Sequence, residues 1–231
     1  MTTADPMRLV IFDCDGVLVD SEPIAMRVLL ETLSRSGLSI PPKVAHSRFL
    51  GKSLTAISDL IMQEFGIELT SPAWDAMRVE LYDALRLELK PVKGIEAALQ
   101  ALRIPFCVAS SSELERIRLS LKITGLLRYF EPFIFSAAMV AAGKPAPDLF
   151  LYAAEKMQTA PEHCLVVEDS AAGVESALRA GMHVCAFLGG SHASDPAHFP
   201  SIRALGSFQT FSDMRLLQDL IRQPGLPAKG P

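Results

Sequence analysis

Asp13 and Asp15 stand two residues apart in Leu9-Val10-Ile11-Phe12-Asp13-Cys14-Asp15-Gly16-Val17-Leu18-Val19-Asp20, directly after four apolar residues. An unbroken apolar run of this kind fits a strand buried on both faces of a parallel sheet. Such strands deliver their functional groups at the carboxyl end, where an open α/β sheet forms its ligand crevice. In an extended segment residues i and i+2 point the same way, so the two carboxylates can serve one site. Side by side they repel unless a cation, a proton or separate roles reconcile them. Taken alone, Asp-x-Asp-Gly is an ordinary polar turn.

Groups further along the chain change that reading. Ser110 ends the apolar run Phe106-Cys107-Val108-Ala109, and Glu168-Asp169 end Leu165-Val166-Val167. Lys144 lies in Gly143-Lys144-Pro145-Ala146-Pro147, after a third run, Phe133-Ile134-Phe135. In a parallel sheet these ends share one edge, so residues distant in sequence converge. A hydroxyl, helix N-terminal amides and a lysine make an anion cradle. Carboxylates beside it make a hard-cation site, and Mg²⁺ prefers a few carboxylates completed by phosphate and water. Singly, Ser110 is an N-cap, Lys144 a solvated loop charge and Glu168-Asp169 a capping pair. Their order at successive strand ends is what chance explains badly.

Helices are expected between these strands, which gives an α/β fold built on a doubly wound parallel sheet. They cover residues 94–102, Ser110-Ser111-Ser112 through Leu121, a stretch capped by Asp148 to about Met157, and Ser170 to Ala180 closed by Gly181. His183 to Leu188 is the last expected strand, and the turn-rich tail 223–231 is expected to fray. Residues 21–89 instead read as an all-helical insertion. Its first helix is capped by Ser21 with Pro23 in the first turn and stops at Gly37, and Ser39-Ile40-Pro41-Pro42 connects onward. A second runs from Ser53 to Phe65, and a third follows Ser71-Pro72 with Trp74, Met77, Leu81, Ala84 and Leu85 at helical spacing. The expected domains are therefore a core of 1–20 and 90–231 and an insertion of 21–89.

Composition sets the class. Of 231 residues 49% are hydrophobic and 21% charged, which describes a soluble globular protein with a generous core. A net charge of −4 gives no nucleic-acid footprint. Cys14, Cys107, Cys164 and Cys185 form no CxxC pair and read as small buried hydrophobes. No signal peptide and no membrane-length apolar run is evident, so a reducing cytoplasm is expected. His46, His163, His192 and His198 lack ligand spacing and receive no role.

With Asp13-Cys14-Asp15-Gly16-Val17-Leu18-Val19-Asp20-Ser21-Glu22-Pro23, Val108-Ala109-Ser110-Ser111-Ser112, Gly143-Lys144-Pro145-Ala146-Pro147-Asp148 and Val167-Glu168-Asp169-Ser170-Ala171-Ala172-Gly173 in this order, the sequence resembles the haloacid dehalogenase superfamily. The likeness is to its phosphatase branch close to β-phosphoglucomutase. That resemblance implies a Rossmann-like core under a helical cap at 21–89, and a Mg²⁺-dependent phosphatase acting on a small phosphorylated metabolite such as a sugar or sugar-acid phosphate. It implies Asp13 as nucleophile and Asp15 as general acid and base. Ser110, the Ser111 amide and Lys144 would hold the phosphoryl oxygens. Asp13, Asp169 and the Asp15 carbonyl would bind the metal, with Glu168 beside them. The cap segment Arg48-Phe49-Leu50-Gly51-Lys52-Ser53 would contact substrate through Arg48, Gly51 and Lys52. A monomer or weak dimer without nucleic-acid or membrane partners is expected. The rival is a phosphomutase, but mutases of this type carry a cap-helix histidine where this chain has Ala25. A non-catalytic binding protein is the reading from another class, and such proteins commonly lose a catalytic acid or the motif lysine.

Overall fold

The computed structural model describes residues 6–49, 54–194, 198–206 and 208–222. Six strands, β1 (Leu9–Phe12), β2 (Phe106–Ser110), β3 (Ile134–Ser136), β4 (Cys164–Glu168), β5 (His183–Phe187) and β6 (Gln209–Phe211), form one sheet. Its order is β3-β2-β1-β4-β5-β6, and every neighbouring pair is parallel. β1 lies centrally, with Ile11 beside Cys107 on one side and Val166 on the other. All four of its residues are fully buried, as a strand covered on both faces requires.

Alternate residues of the strands feed two cores. Val10, Phe12, Val108 and Val167 pack on one face, while Leu9, Ile11, Cys107 and Val166 pack on the other. The helices covering these faces are α5 (Ile95–Ala101), α6 (Leu114–Ile123), α7 (Leu127–Phe130), α8 (Asp148–Lys156), α9 (Ala171–Arg179), α10 (His198–Arg203) and α11 (Leu217–Arg222). Four earlier helices, α1 (Glu22–Arg35), α2 (Pro42–Phe49), α3 (Leu54–Phe65) and α4 (Ser71–Glu88), fall between β1 and β2 in the chain. The chain departs and returns through paired segments. The Asp20 amide donates to the Lys90 carbonyl at 3.0 Å, and the Val92 amide to the Leu18 carbonyl at 2.9 Å.

Several details differ from the sequence reading. The helix at Pro42–Phe49 occupies the expected connector and loop, because Pro42 stands at its first position, where a fixed φ and a missing N–H suit a helix start. The strand β6 lies beyond the last expected one; three residues at a sheet edge give too little pattern to read. α8 starts at Asp148 itself, with Pro147 in the cap position and no side-chain cap bond. Ser21 makes no cap bond either, because its hydroxyl is engaged elsewhere. All four cysteines are buried and free. Gly51, Lys52, Ser53 and the 223–231 tail lie outside the described residues.

Candidate active site

The strand order reverses between β1 and β4, the position where an open α/β sheet leaves a crevice at the strands' carboxyl ends. Asp13 extends β1 by one residue: its amide donates to the Val167 carbonyl at 3.0 Å, which sets the carboxylate at that edge. From the loop between β3 and α8, Lys144 reaches in until only 3% of its side chain is exposed. Its Nζ donates to Asp13 Oδ1 and to Glu168 Oε1, both at 2.6 Å. The other Glu168 oxygen accepts from the amides of Asp169 and Ser170, each at 2.7 Å. Ser170 in turn caps α9, its hydroxyl accepting from the Gly173 amide at 3.0 Å. Each charged group at this edge is thus fixed by backbone or by its neighbour.

Two glycines make the approach possible. A Cβ on Gly173 would lie 1.8 Å from Glu168 Oε1, and one on Gly16 would lie 1.8 Å from Asp169 Oδ2. Gly16 also has φ +82°, the left-handed region that side chains disfavour.

Asp13, Glu168 and Asp169 are all buried, and one oxygen of each lies within 4.8 Å of the others. Burial pushes the Asp13 carboxyl well above its usual range, Lys144 opposes this, and Glu168 and Asp169 add to it. Burial, with Glu168 and Glu22, also raises Asp169. Burial works to lower the Lys144 ammonium, but Asp13 and Glu168 outweigh it and hold the proton on. Three carboxylates against one ammonium leave a negative excess inside the protein, and three hard oxygens suit a divalent cation there. The donor set fits.

The Asp15 carboxylate takes other partners. Ser21 Oγ donates to Oδ1 at 2.5 Å, Arg116 Nη2 to Oδ1 at 2.9 Å, and Ser112 Oγ to Oδ2 at 2.6 Å. Burial would raise this acid, but Arg116 and the two hydroxyls outweigh it and lower the pKa. Ser21, Ser112 and Arg116 were not read from the sequence as site residues. Neither was His192, which is buried with Nε2 2.8 Å from Asp169 Oδ2. Burial lowers its pKa, against the raising influence of Glu22, Asp20 and Glu168.

The remaining expected residues divide. Ser110 is buried at the end of β2, where its hydroxyl accepts from the Ser112 amide at 3.2 Å. Phe12 and Val108 are register partners, so Ser110 stands at the same sheet edge as Asp13. Ser111 is exposed and, with Ser112 and Arg116, lines a cavity of about 220 Å³ that also touches Ala25, Phe49 and Leu54. Arg48 does not line that cavity; its guanidinium donates to Glu64 at 2.7 Å on the surface. No helix among the described residues is long and apolar enough to cross a membrane.

A family model for haloacid dehalogenase-like hydrolases matches residues 7–181, which include all of these site residues except His192. The chain belongs to this family. A 6-phosphogluconate phosphatase of Escherichia coli is 33% identical over 220 residues, 95% of this chain and 96% of that protein. Hexitol phosphatase A of the same organism is 36% identical over 181 residues, 76% of this chain and 81% of its own length. A solved haloacid dehalogenase-like protein of Agrobacterium tumefaciens superposes with a TM-score of 0.82 at 36% identity, covering 93% of this chain and 97% of its own. Within the family the chain is an enzyme of the phosphatase branch.

Proposed function

We propose that this enzyme is a Mg²⁺-dependent phosphatase of a small organic phosphate monoester, working through a phosphoryl group carried on Asp13. One observation carries the reading: Lys144 bridges Asp13 and Glu168 inside a buried cluster that also contains Asp169, at the reversal of the strand order. That arrangement supports a nucleophilic carboxylate held ready beside charge-neutralising groups. Asp13 Oδ attacks phosphorus, the ester P–O bond breaks, and Asp15, which takes up a proton on leaving Arg116 and the two hydroxyls that hold it as a carboxylate, gives that proton to the leaving oxygen. Asp15, now a carboxylate, takes a proton from water as that water attacks the phosphoryl group, and inorganic phosphate and free Asp13 result. Lys144, the Ser110 hydroxyl and the Ser111 amide hold the phosphoryl oxygens. Asp13, Asp169 and the Asp15 carbonyl would hold Mg²⁺, with Glu168 fixing the geometry around them; bound there, it would shield the attacking carboxylate from the anionic phosphoryl group.

Residues 21–89 act as the cap in this reading, with 1–20 and 90–231 as the core. Ala25 stands in the cavity wall and offers no proton relay, so water rather than a second sugar hydroxyl receives the phosphoryl group. The substrates named for the two E. coli relatives, a phosphorylated sugar acid and phosphorylated hexitols, set the class to be tried first. The test is kcat/KM across a panel of sugar, sugar-acid and polyol phosphates, with Mg²⁺ and then with EDTA. Phosphate release that disappears in chelator and returns with Mg²⁺ is expected, with Ca²⁺ a poor substitute. Undiminished hydrolysis in chelator would overturn the metal assignment.

A further inference from the structure

Arg116 is an under-occupied cation in the wall of the cavity. It stands in the first turn of α6, in the sequence Glu115-Arg116-Ile117-Arg118. Its neighbour Arg118 is half exposed and pairs with Glu131 at 3.1 Å, an ordinary surface arrangement. Arg116 turns the other way, with 17% of its side chain exposed. A guanidinium has five N–H donors. Among the described residues, Nη2 to Asp15 is the only hydrogen bond this one makes. Its Nε–H is buried without a partner. A buried donor without a partner among the described residues is uncommon in a native protein and calls for an explanation.

The surroundings say what that group is. Among the described residues the cavity's charged lining consists of Glu22, Arg78, Glu113 and Arg116. Arg78 already donates to Asp75 at 3.2 Å, and Glu113 is exposed. That leaves Glu22 and Arg116 as the inner pair, Glu22 with burial raising its pKa against the lowering influence of Arg116. A carboxyl of this kind accepts from hydroxyls, whereas a planar guanidinium fork matches a carboxylate. Asp15 occupies that fork through one nitrogen only. Under the phosphatase reading, on which this inference rests, Asp15 must turn toward the leaving oxygen, and the fork then needs another oxygen anion.

We propose that Arg116 is the receptor for a carboxylate on the leaving group of the substrate, and so selects sugar-acid phosphates over the corresponding neutral polyol phosphates. The substrate carboxylate takes the fork, Glu22 receives neighbouring hydroxyls, and Asp15 is freed for the ester oxygen. Selectivity of this sort is strong because a neutral analogue leaves the buried guanidinium unsatisfied. The rest of the described wall is apolar, as at Met26, Leu29 and Leu81, or carries neutral hydroxyls, as at Thr55, Tyr82, Ser111 and Ser112, so it supplies no anion to take the carboxylate's place.

The experiment compares kcat/KM for D-gluconate 6-phosphate and D-glucitol 6-phosphate, which differ by a carboxylate in place of a CH₂OH group. Wild type should favour the gluconate ester by about tenfold or more. In Arg116→Met kcat should change alike for both esters, because Arg116 also holds Asp15, while the preference vanishes through a rise in KM for the gluconate ester that the glucitol ester does not share. Arg116→Lys should restore part of it, since the charge returns without the fork. Absence of a preference in wild type, its survival in Arg116→Met, or an equal rise of both KM values would each overturn the proposal. Should Arg116→Met fail to fold by circular dichroism, the wild-type ratio and the Lys variant still decide. Failure of the phosphatase reading looks different: wild type with Mg²⁺ would then release no phosphate from either ester or from p-nitrophenyl phosphate.

Discussion

Lys144 Nζ lies 2.6 Å from Asp13 Oδ1, an ion pair with 3% and 9% of the two side chains exposed. Pairs this deep gain little over an apolar replacement of both partners, but removing one partner strands the other. Here two carboxylates would be stranded, because the same ammonium serves Glu168. Lys144→Met should therefore cost about 3–5 kcal/mol of stability and remove turnover. Thermal unfolding should also show Mg²⁺ recovering part of the loss, since added positive charge relieves the same repulsion. An unchanged Tm would contradict the electrostatic account of this cluster.

His192 should tune the metal site through Asp169. A buried imidazole 2.8 Å from Asp169 Oδ2 restrains that carboxylate, and groups that orient a ligand typically matter 10- to 100-fold in metal affinity or activity. His192→Ala should raise the Mg²⁺ concentration needed for half-maximal activity while leaving kcat at saturating Mg²⁺ much closer to wild type. A Mg²⁺ titration superimposable on wild type would remove His192 from this role.

The four thiols should be inert in the folded protein. Burial pushes Cys164 and Cys185 from 9.0 up to about 12, and Cys14 and Cys107 are raised as well. Near pH 8 the thiolate fraction at Cys164 or Cys185 is then about one in ten thousand. Ellman's reagent should label nothing quickly until denaturant is added, and fast labelling of native protein would contradict the burial. The sign for stability follows from the same shift. Thiols that hold their protons more tightly when folded favour the fold fully below pH 9, and this contribution is lost as pH rises from 9 toward 12.

Much of this was legible because strand ends announce themselves. Asp13, Ser110 and Glu168-Asp169 each follow an apolar run, and parallel pairing brings those ends to one edge. The helix starting at Pro42 was obscured by the Pro41-Pro42 pair, since proline marks helix starts and connectors alike. Ser21 looked like a cap because serine before Glu-Pro is a helix start, yet its hydroxyl bonds Asp15 across the loop. Arg116 and Arg118 are the same residue type two places apart, and only packing distinguishes the buried one from the solvated one. His192 lies more than twenty residues beyond Asp169, and its approach depends on how the segment after β5 folds back, for which no local pattern exists.

The central claim is that the Asp13 carboxylate forms the bond to phosphorus, and Asp13→Asn tests it most directly. The amide is nearly the same size, so the fold should survive, as circular dichroism and thermal unfolding would show. Turnover of p-nitrophenyl phosphate with Mg²⁺ should fall by about 1000-fold or more, because an amide cannot serve as the nucleophile. A folded Asp13→Asn protein that turns over at close to the wild-type rate would contradict the account.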